Sequence, residues 1–161
     1  IGWSNADSAW TFPMRNNDGR VVGIRTRYKN GQKLAIKGSQ SGMFIPMPAL
    51  ESDDIWIVEG PTDCAAALTL GFPAIGRPNC NSCVDMTLSY MQRSKAKRAI
   101  VVSDSDGPGR GGAHRLQAEL AIPSVIWIPP AKDIRAFLVA GGDRDEALSM
   151  MRNLRWSRGA R

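Results

Sequence analysis

Four carboxylates occupy positions from which a sheet could gather them. Glu59 directly follows the apolar run Ile55-Trp56-Ile57-Val58, and Asp104 and Asp106 follow Ala99-Ile100-Val101-Val102. Asp133 comes shortly after a third run, Val125-Ile126-Trp127-Ile128. If these runs are parallel strands, acids far apart in sequence converge on the carboxyl rim, where open α/β sheets bind ligands. Clustered carboxylates repel and raise one another's pKa, a penalty that a divalent cation removes. An all-oxygen donor set without Cys or His suits Mg²⁺, with Mn²⁺ as the alternative ion, and disfavours zinc. The Asp-x-Asp spacing would send the Asp104 and Asp106 side chains the same way from an extended backbone. Metal-assisted phosphoryl transfer is the chemistry such a constellation serves.

Gly107, Gly109, Gly111 and Gly112 come next, with Arg110 among them. They permit close backbone approach, and a helix expected across roughly 111–121 would aim its amide-rich N-terminus at a phosphate. An Asp-x-Asp followed by glycines is alone a common solvated loop. Its pairing with Glu59-Gly60-Pro61-Thr62-Asp63, each motif behind its own hydrophobic strand, makes a bland origin improbable.

The elements that must position these groups alternate between strand and helix. Strands are expected at 55–58, 74–76, 99–102 and 125–128, with helices at 64–70, 84–92 and 111–121 and a helical tail at 143–154. This predicts an α/β fold, a roughly four-stranded parallel sheet with crossover helices. Before it, residues 10–14, 20–28 and 32–37 read as short strands, with Asn17-Asp18-Gly19 and Asn30-Gly31 as hairpin turns. Strand alternation puts Arg25 and Arg27 on one face of that small antiparallel sheet. On an isolated strand the same arginines would serve equally well as a solvated outer face. The texture changes after Pro46 and Pro48, giving three expected parts: a basic β-rich subdomain (1–50), an α/β domain (51–142) and a basic C-terminal helix and tail (143–161) ending in Arg152, Arg155, Arg158 and Arg161.

The 161 residues suit one cooperative unit, and 43% hydrophobic with 22% charged content is ordinary for a globular chain. No apolar run is long enough to span a bilayer, and no signal-peptide pattern opens the chain, so a soluble, cytoplasmic protein is expected. Beginning at Ile1, it reads as a piece of something longer. Cys64, Cys80 and Cys83 are too few for a disulfide framework or a complete zinc site, and are expected as reduced thiols. The net charge of +6 points to an anionic partner. Its distribution says more: residues 1–50 carry Arg15, Arg20, Arg25, Arg27, Lys29, Lys33 and Lys37, whereas 51–92 have Arg77 as their sole basic residue. A basic flank beside an acidic site is what a polyphosphate and its metal require.

Two stretches resemble the TOPRIM domain shared by primases, topoisomerases, recombination mediators and some nucleases. They are Val58-Glu59-Gly60-Pro61-Thr62-Asp63-Cys64-Ala65 and Val101-Val102-Ser103-Asp104-Ser105-Asp106-Gly107-Pro108-Gly109-Arg110, within roughly residues 53–140. The resemblance implies that Glu59 is a general acid or base or a metal ligand, that Asp104 and Asp106 bind Mg²⁺, and that Asp63 supports them. Lys132-Asp133 with Phe137-Leu138 resembles the segment that gives bacterial and phage replicative primases a further metal-binding acid, here Asp133, with Lys132 in support. Phe12-Pro13-Met14-Arg15 and Asp18–Arg27 resemble the basic β subdomain that precedes TOPRIM in those primases. By that likeness Arg27 and Lys33, and less directly Lys37, are candidates for nucleotide or nucleic-acid contact; Arg25, on the same strand face as Arg27, and Arg110, beside the glycine turn, join them by position.

The resemblance therefore implies a primase catalytic core, a nucleotidyltransferase of phage, plasmid or bacterial replication. Its partners would be a single-stranded DNA template, ribonucleoside triphosphates and a replicative helicase. The alternatives are a TOPRIM metal-dependent nuclease and a non-catalytic nucleic-acid-binding module. A topoisomerase needs a nucleophilic tyrosine, and neither Tyr28 nor Tyr90 has an evident catalytic context.

Overall fold

The computed structural model describes residues 1–47 and 51–159. Pro48, Arg161 and the boundary expected between 50 and 51 therefore lie outside the described residues. The first sheet is antiparallel, in the order β1 (Gly2–Ser4), β2 (Ala9–Arg15), β3 (Val21–Tyr28), β4 (Lys33–Ala35). Both expected hairpin turns form. Asn16 accepts from the Asp18 and Arg20 amides at 3.0 Å each, and Asn30 accepts from the Gln32 amide, short side chains that close the turns locally. The three-residue β1 was not foreseen, because so short a segment shows no periodicity.

The second sheet is wholly parallel, in the order β6 (Ala74–Arg77), β5 (Asp54–Glu59), β7 (Arg98–Val102), β8 (Ser124–Trp127). Strand β5 explains why its apolar run is continuous. Trp56 and Val58 enter one core with Ile100, Val102 and Trp127, while Ile55 and Ile57 enter another with Ile75, Val101 and Leu116. Helices α1 (Pro61–Thr69), α4 (Ile134–Val139) and α5 (Arg144–Met151) contribute to the first core, and α2 (Val84–Arg93) and α3 (Gly107–Glu119) to the second. Burial on both faces is what a parallel sheet under crossover helices requires.

Phe12 and Met14 of β2, with Phe44, join the same core as Trp56. Met43 bridges to Arg15 of the first sheet and Phe44 to Gly76 of the second, so two consecutive residues link the sheets.

Several element boundaries differ from expectation. Helix α3 starts at Gly107 rather than near 111, because the Asp106 carboxylate accepts from the Gly109 amide at 2.7 Å and Pro108 occupies the first turn, where no amide partner is needed. Helix α1 likewise begins on a proline, at Pro61 rather than Cys64, though its cap residue Gly60 supplies no side-chain bond. Helix α4, capped by Asp133, was not foreseen, and the tail helix is shorter than 143–154. All three cysteines are free, as expected. Among the described residues no helix is long and apolar enough to cross a membrane.

Candidate active site

A cavity of about 280 Å³ opens where the carboxyl ends of β5 and β7 face the first sheet. Its acids are Glu59, Asp63, Asp104 and Asp133; its cations are Arg25, Arg27 and Lys33 from β3 and β4, with Lys132 and Arg135 from the loop and helix after β8. Arg25 and Arg27 share a face, as alternation requires, and that face meets the acids.

Each acid is held by its local backbone. Glu59 ends β5, and Gly60 follows at φ 85°, ψ 165°, a region essentially reserved for glycine. That bend delivers the chain into α1 at Pro61 and brings Asp63, in the first helical turn, into the cavity. The Asp104 loop is tied to the Asp133 loop by the Ser105 amide donating to the Lys132 carbonyl at 3.0 Å. Asp133 lines the cavity while one of its carboxylate oxygens accepts from the Ala136 amide at 2.6 Å.

The electrostatics follow from burial and crowding. Asp63 is only 8% exposed, and its Oδ1 has no hydrogen-bond partner. Burial, with Asp133 and Asp104 adding repulsion, pushes its pKa up to about 7. Burial and then Glu59, Asp133 and Asp106 push Asp104 up to about 6, with Lys132 opposing. Glu59 is also raised, by burial first, against the pull of Arg77.

Sequence reasoning missed Arg135, which lines the cavity, and the neighbouring Arg77. Arg77 pairs with Glu59 across β5 and β6, is buried, and donates from Nη1 to the Cys80 carbonyl at 3.1 Å, while its Nε has no partner. For Arg77 the available signal was an arginine closing a strand beside the strand that delivers Glu59.

Three sequence candidates lie apart from the cavity lining. Asp106 is exposed, and one of its oxygens accepts from the Gly109 amide to cap α3. Asp106 remains close enough to raise Asp104 and Glu59. Arg110 is exposed and donates through Nε and Nη2 to the Ser105 carbonyl, at 3.1 and 2.7 Å, bracing the loop that carries Asp104. Lys37 is exposed beyond β4.

Among the described residues no three His, Cys, Asp or Glu side chains stand close enough together to hold a metal ion. The donor set nonetheless fits a hard cation of the Mg²⁺ type, which keeps several waters and takes one or two carboxylates directly. The unpartnered Asp63 oxygen and the mutual repulsion that raises Asp63 and Asp104 are both relieved by positive charge at this point.

Neither a family model nor a curated protein matches the chain. Solved structures do. The primase fragment of the bacteriophage T7 primase-helicase superposes with a TM-score of 0.74 at 16% identity, covering 94% of this chain and 65% of that one. The DnaG primase catalytic domain bound to single-stranded DNA gives 0.71 at 18% identity over 92% of this chain and 52% of that one. The RNA polymerase domain of Mycobacterium tuberculosis primase DnaG, in complex with an overhanging DNA duplex, gives 0.65 at 19% identity, covering 92% and 54%. The chain thus spans between about half and two thirds of these solved chains. Its paired sheets, antiparallel then parallel, have the fold of primase catalytic cores.

Proposed function

We propose that the protein is the catalytic core of a DNA primase, joining ribonucleotides into short RNA primers on a single-stranded DNA template. The observation that carries this reading is the cavity in which the basic wall of β3 and β4 faces carboxylates at the ends of parallel strands. The fold likeness to primase cores, one of them bound to single-stranded DNA, supports it.

Arg25, Arg27 and Lys33 would neutralise the triphosphate of the incoming nucleotide, with Lys132 and Arg135 on the opposite side. Of Glu59, Asp104, Asp106 and Asp133, one or two carboxylates would hold Mg²⁺ (or Mn²⁺) directly and the others through its waters, supported by Asp63. When bound, the cation stabilises charge on the transferring phosphorus and the leaving pyrophosphate. The 3′ hydroxyl oxygen attacks the α-phosphorus, the bond to pyrophosphate breaks, and the hydroxyl proton leaves towards the carboxylate cluster. Glu59, raised by burial yet steadied by Arg77, is the residue suited to receive it. Lys37 and Arg110, outside the cavity, would touch a longer strand.

The test is to incubate the protein with single-stranded template, ribonucleotides and Mg²⁺. Short RNA is the expected product, and Asp104→Ala or Glu59→Gln should abolish it with the fold intact. An active, well-folded Asp104→Ala variant overturns the assignment. A cut template would identify a nuclease, and binding alone a non-catalytic module.

A further inference from the structure

Of the tryptophans, Trp56 and Trp127 are buried in the first core, but Trp3 and Trp10 are 40% and 50% exposed. Indoles are large apolar surfaces, and two of them side by side in water need a reason. Their position supplies one. The strand registers align Trp3 with Trp10, Trp10 with Arg27, and Arg27 with Lys33, so one row crosses all four strands of the first sheet. Directly paired residues of antiparallel strands project from the same face. Arg27 and Lys33 line the carboxylate cavity, and the two indoles therefore continue its basic wall outward on the same face.

We propose that Trp3 and Trp10 form a stacking platform for bases of a single-stranded DNA, leading the strand into or out of the carboxylate cavity. This rests on the primase reading and adds to it a base-contacting site. The rings meet edge to face, with centroids 5.1 Å apart and planes at 73°, so the edge of one rests on a single face of the other and the two are not stacked flat. Lys29 Nζ sits 5.8 Å from the Trp3 centroid, which supplies a phosphate partner beside a base-binding surface. Strands lie about 4.8 Å apart, so Trp10 and Trp3 stand roughly 5 and 10 Å from the Arg27 column. At about 3.4 Å per stacked nucleotide, that is a reach of one to three nucleotides. Cations tracking the backbone with aromatics interleaved is the arrangement that binds single strands without regard to sequence.

The experiment measures fluorescence-anisotropy affinity of the full chain for an oligothymidylate and for an abasic oligonucleotide of equal length. Trp10→Ala should weaken oligothymidylate binding by about five- to one-hundred-fold, the range carried by one base–aromatic stack. Trp3→Ala should also weaken it, Trp10→Phe should keep most of the affinity, and none of the three should change abasic binding. Both indoles are half out of the fold, and a thermal melt of each variant gives the folded fraction by which affinities are normalised. Alanine variants that bind oligothymidylate like the parent, or lose abasic binding to the same degree, overturn the platform. If the parent still makes primers in that case, the primase reading stands; a parent that neither binds strand nor makes primers overturns both.

Discussion

The Arg27 guanidinium donates through Nη1 to the Thr62 hydroxyl at 3.0 Å, joining β3 of the basic sheet to the first turn of α1. That bond restrains a long, flexible cation at the wall of the cavity that Arg27, Thr62 and Asp63 all line. Arg27→Ala should weaken ribonucleoside triphosphate binding by on the order of 10–100-fold, since a hydrogen bond to a charged group contributes about 1.5–3 kcal/mol. Thr62→Val keeps the charge and loses only the tether, so its effect should be under about tenfold. Nucleotide titration of both variants checks the order; a Thr62→Val loss equal to that of Arg27→Ala would show that the hydroxyl, rather than the charge, matters.

Gly112 of α3 faces the loop after β6. A Cβ there would stand 2.6 Å from the Cys80 Cβ and 2.7 Å from the Cys80 carbonyl oxygen. The same carbonyl accepts from Arg77, whose charge steadies Glu59. Alanine is the better helix former by about 1 kcal/mol, but overpacking against backbone costs about 1–3 kcal/mol. The clash should win: Gly112→Ala is expected to lower the thermal midpoint and reduce primer synthesis together. A raised midpoint with unchanged synthesis would mean that the Cys80 loop yields freely.

How much of this was legible in the sequence depended on the range of the interaction. The strands carrying Glu59 and Asp104 were readable because both their faces are buried, which writes an unbroken apolar run. The shared face of Arg25 and Arg27 was readable from local alternation and a basic flank beside the acids from the charge distribution, but not which residues meet, since Thr62 and Asp63 arrive from a separate element. That Asp106 also caps α3 was not readable, because the bond to the Gly109 amide depends on where the helix begins. Arg77 was passed over because its importance lies in the register of β6 against β5, which no local pattern encodes.

Asp63 at about 7 and Asp104 at about 6 lie well above the ordinary aspartate value, so the native state keeps protons that the unfolded chain releases near pH 4. Over roughly pH 4–7 the native state binds more protons, and stability must fall as pH rises through that window and level off above it. In EDTA, the urea midpoint should decline from pH 4.5 to 7.5. Asp63→Asn, which cannot ionise, should flatten the decline. A parent midpoint that rises across the window would contradict the crowding of these acids.

The same repulsion predicts what Mg²⁺ does to the fold. A cation that binds the native cluster and not the unfolded chain stabilises by RT ln(1 + [L]/Kd), about 1.4 kcal/mol at an excess of roughly tenfold over Kd. For a chain of this size that amounts to a rise of about 3–6 °C in the thermal midpoint. The rise should be larger at pH 8, where Asp63 and Asp104 are both ionised, than at pH 5, where both hold protons and compete with the metal. Asp104→Asn should abolish most of it, whereas a charge-preserving change at exposed Lys37, Lys37→Arg, should leave it intact. Thermal melts with Mg²⁺ or with EDTA at the two pH values decide the matter: an equal rise at both, or one that survives in Asp104→Asn, would place the cation somewhere other than among these carboxylates.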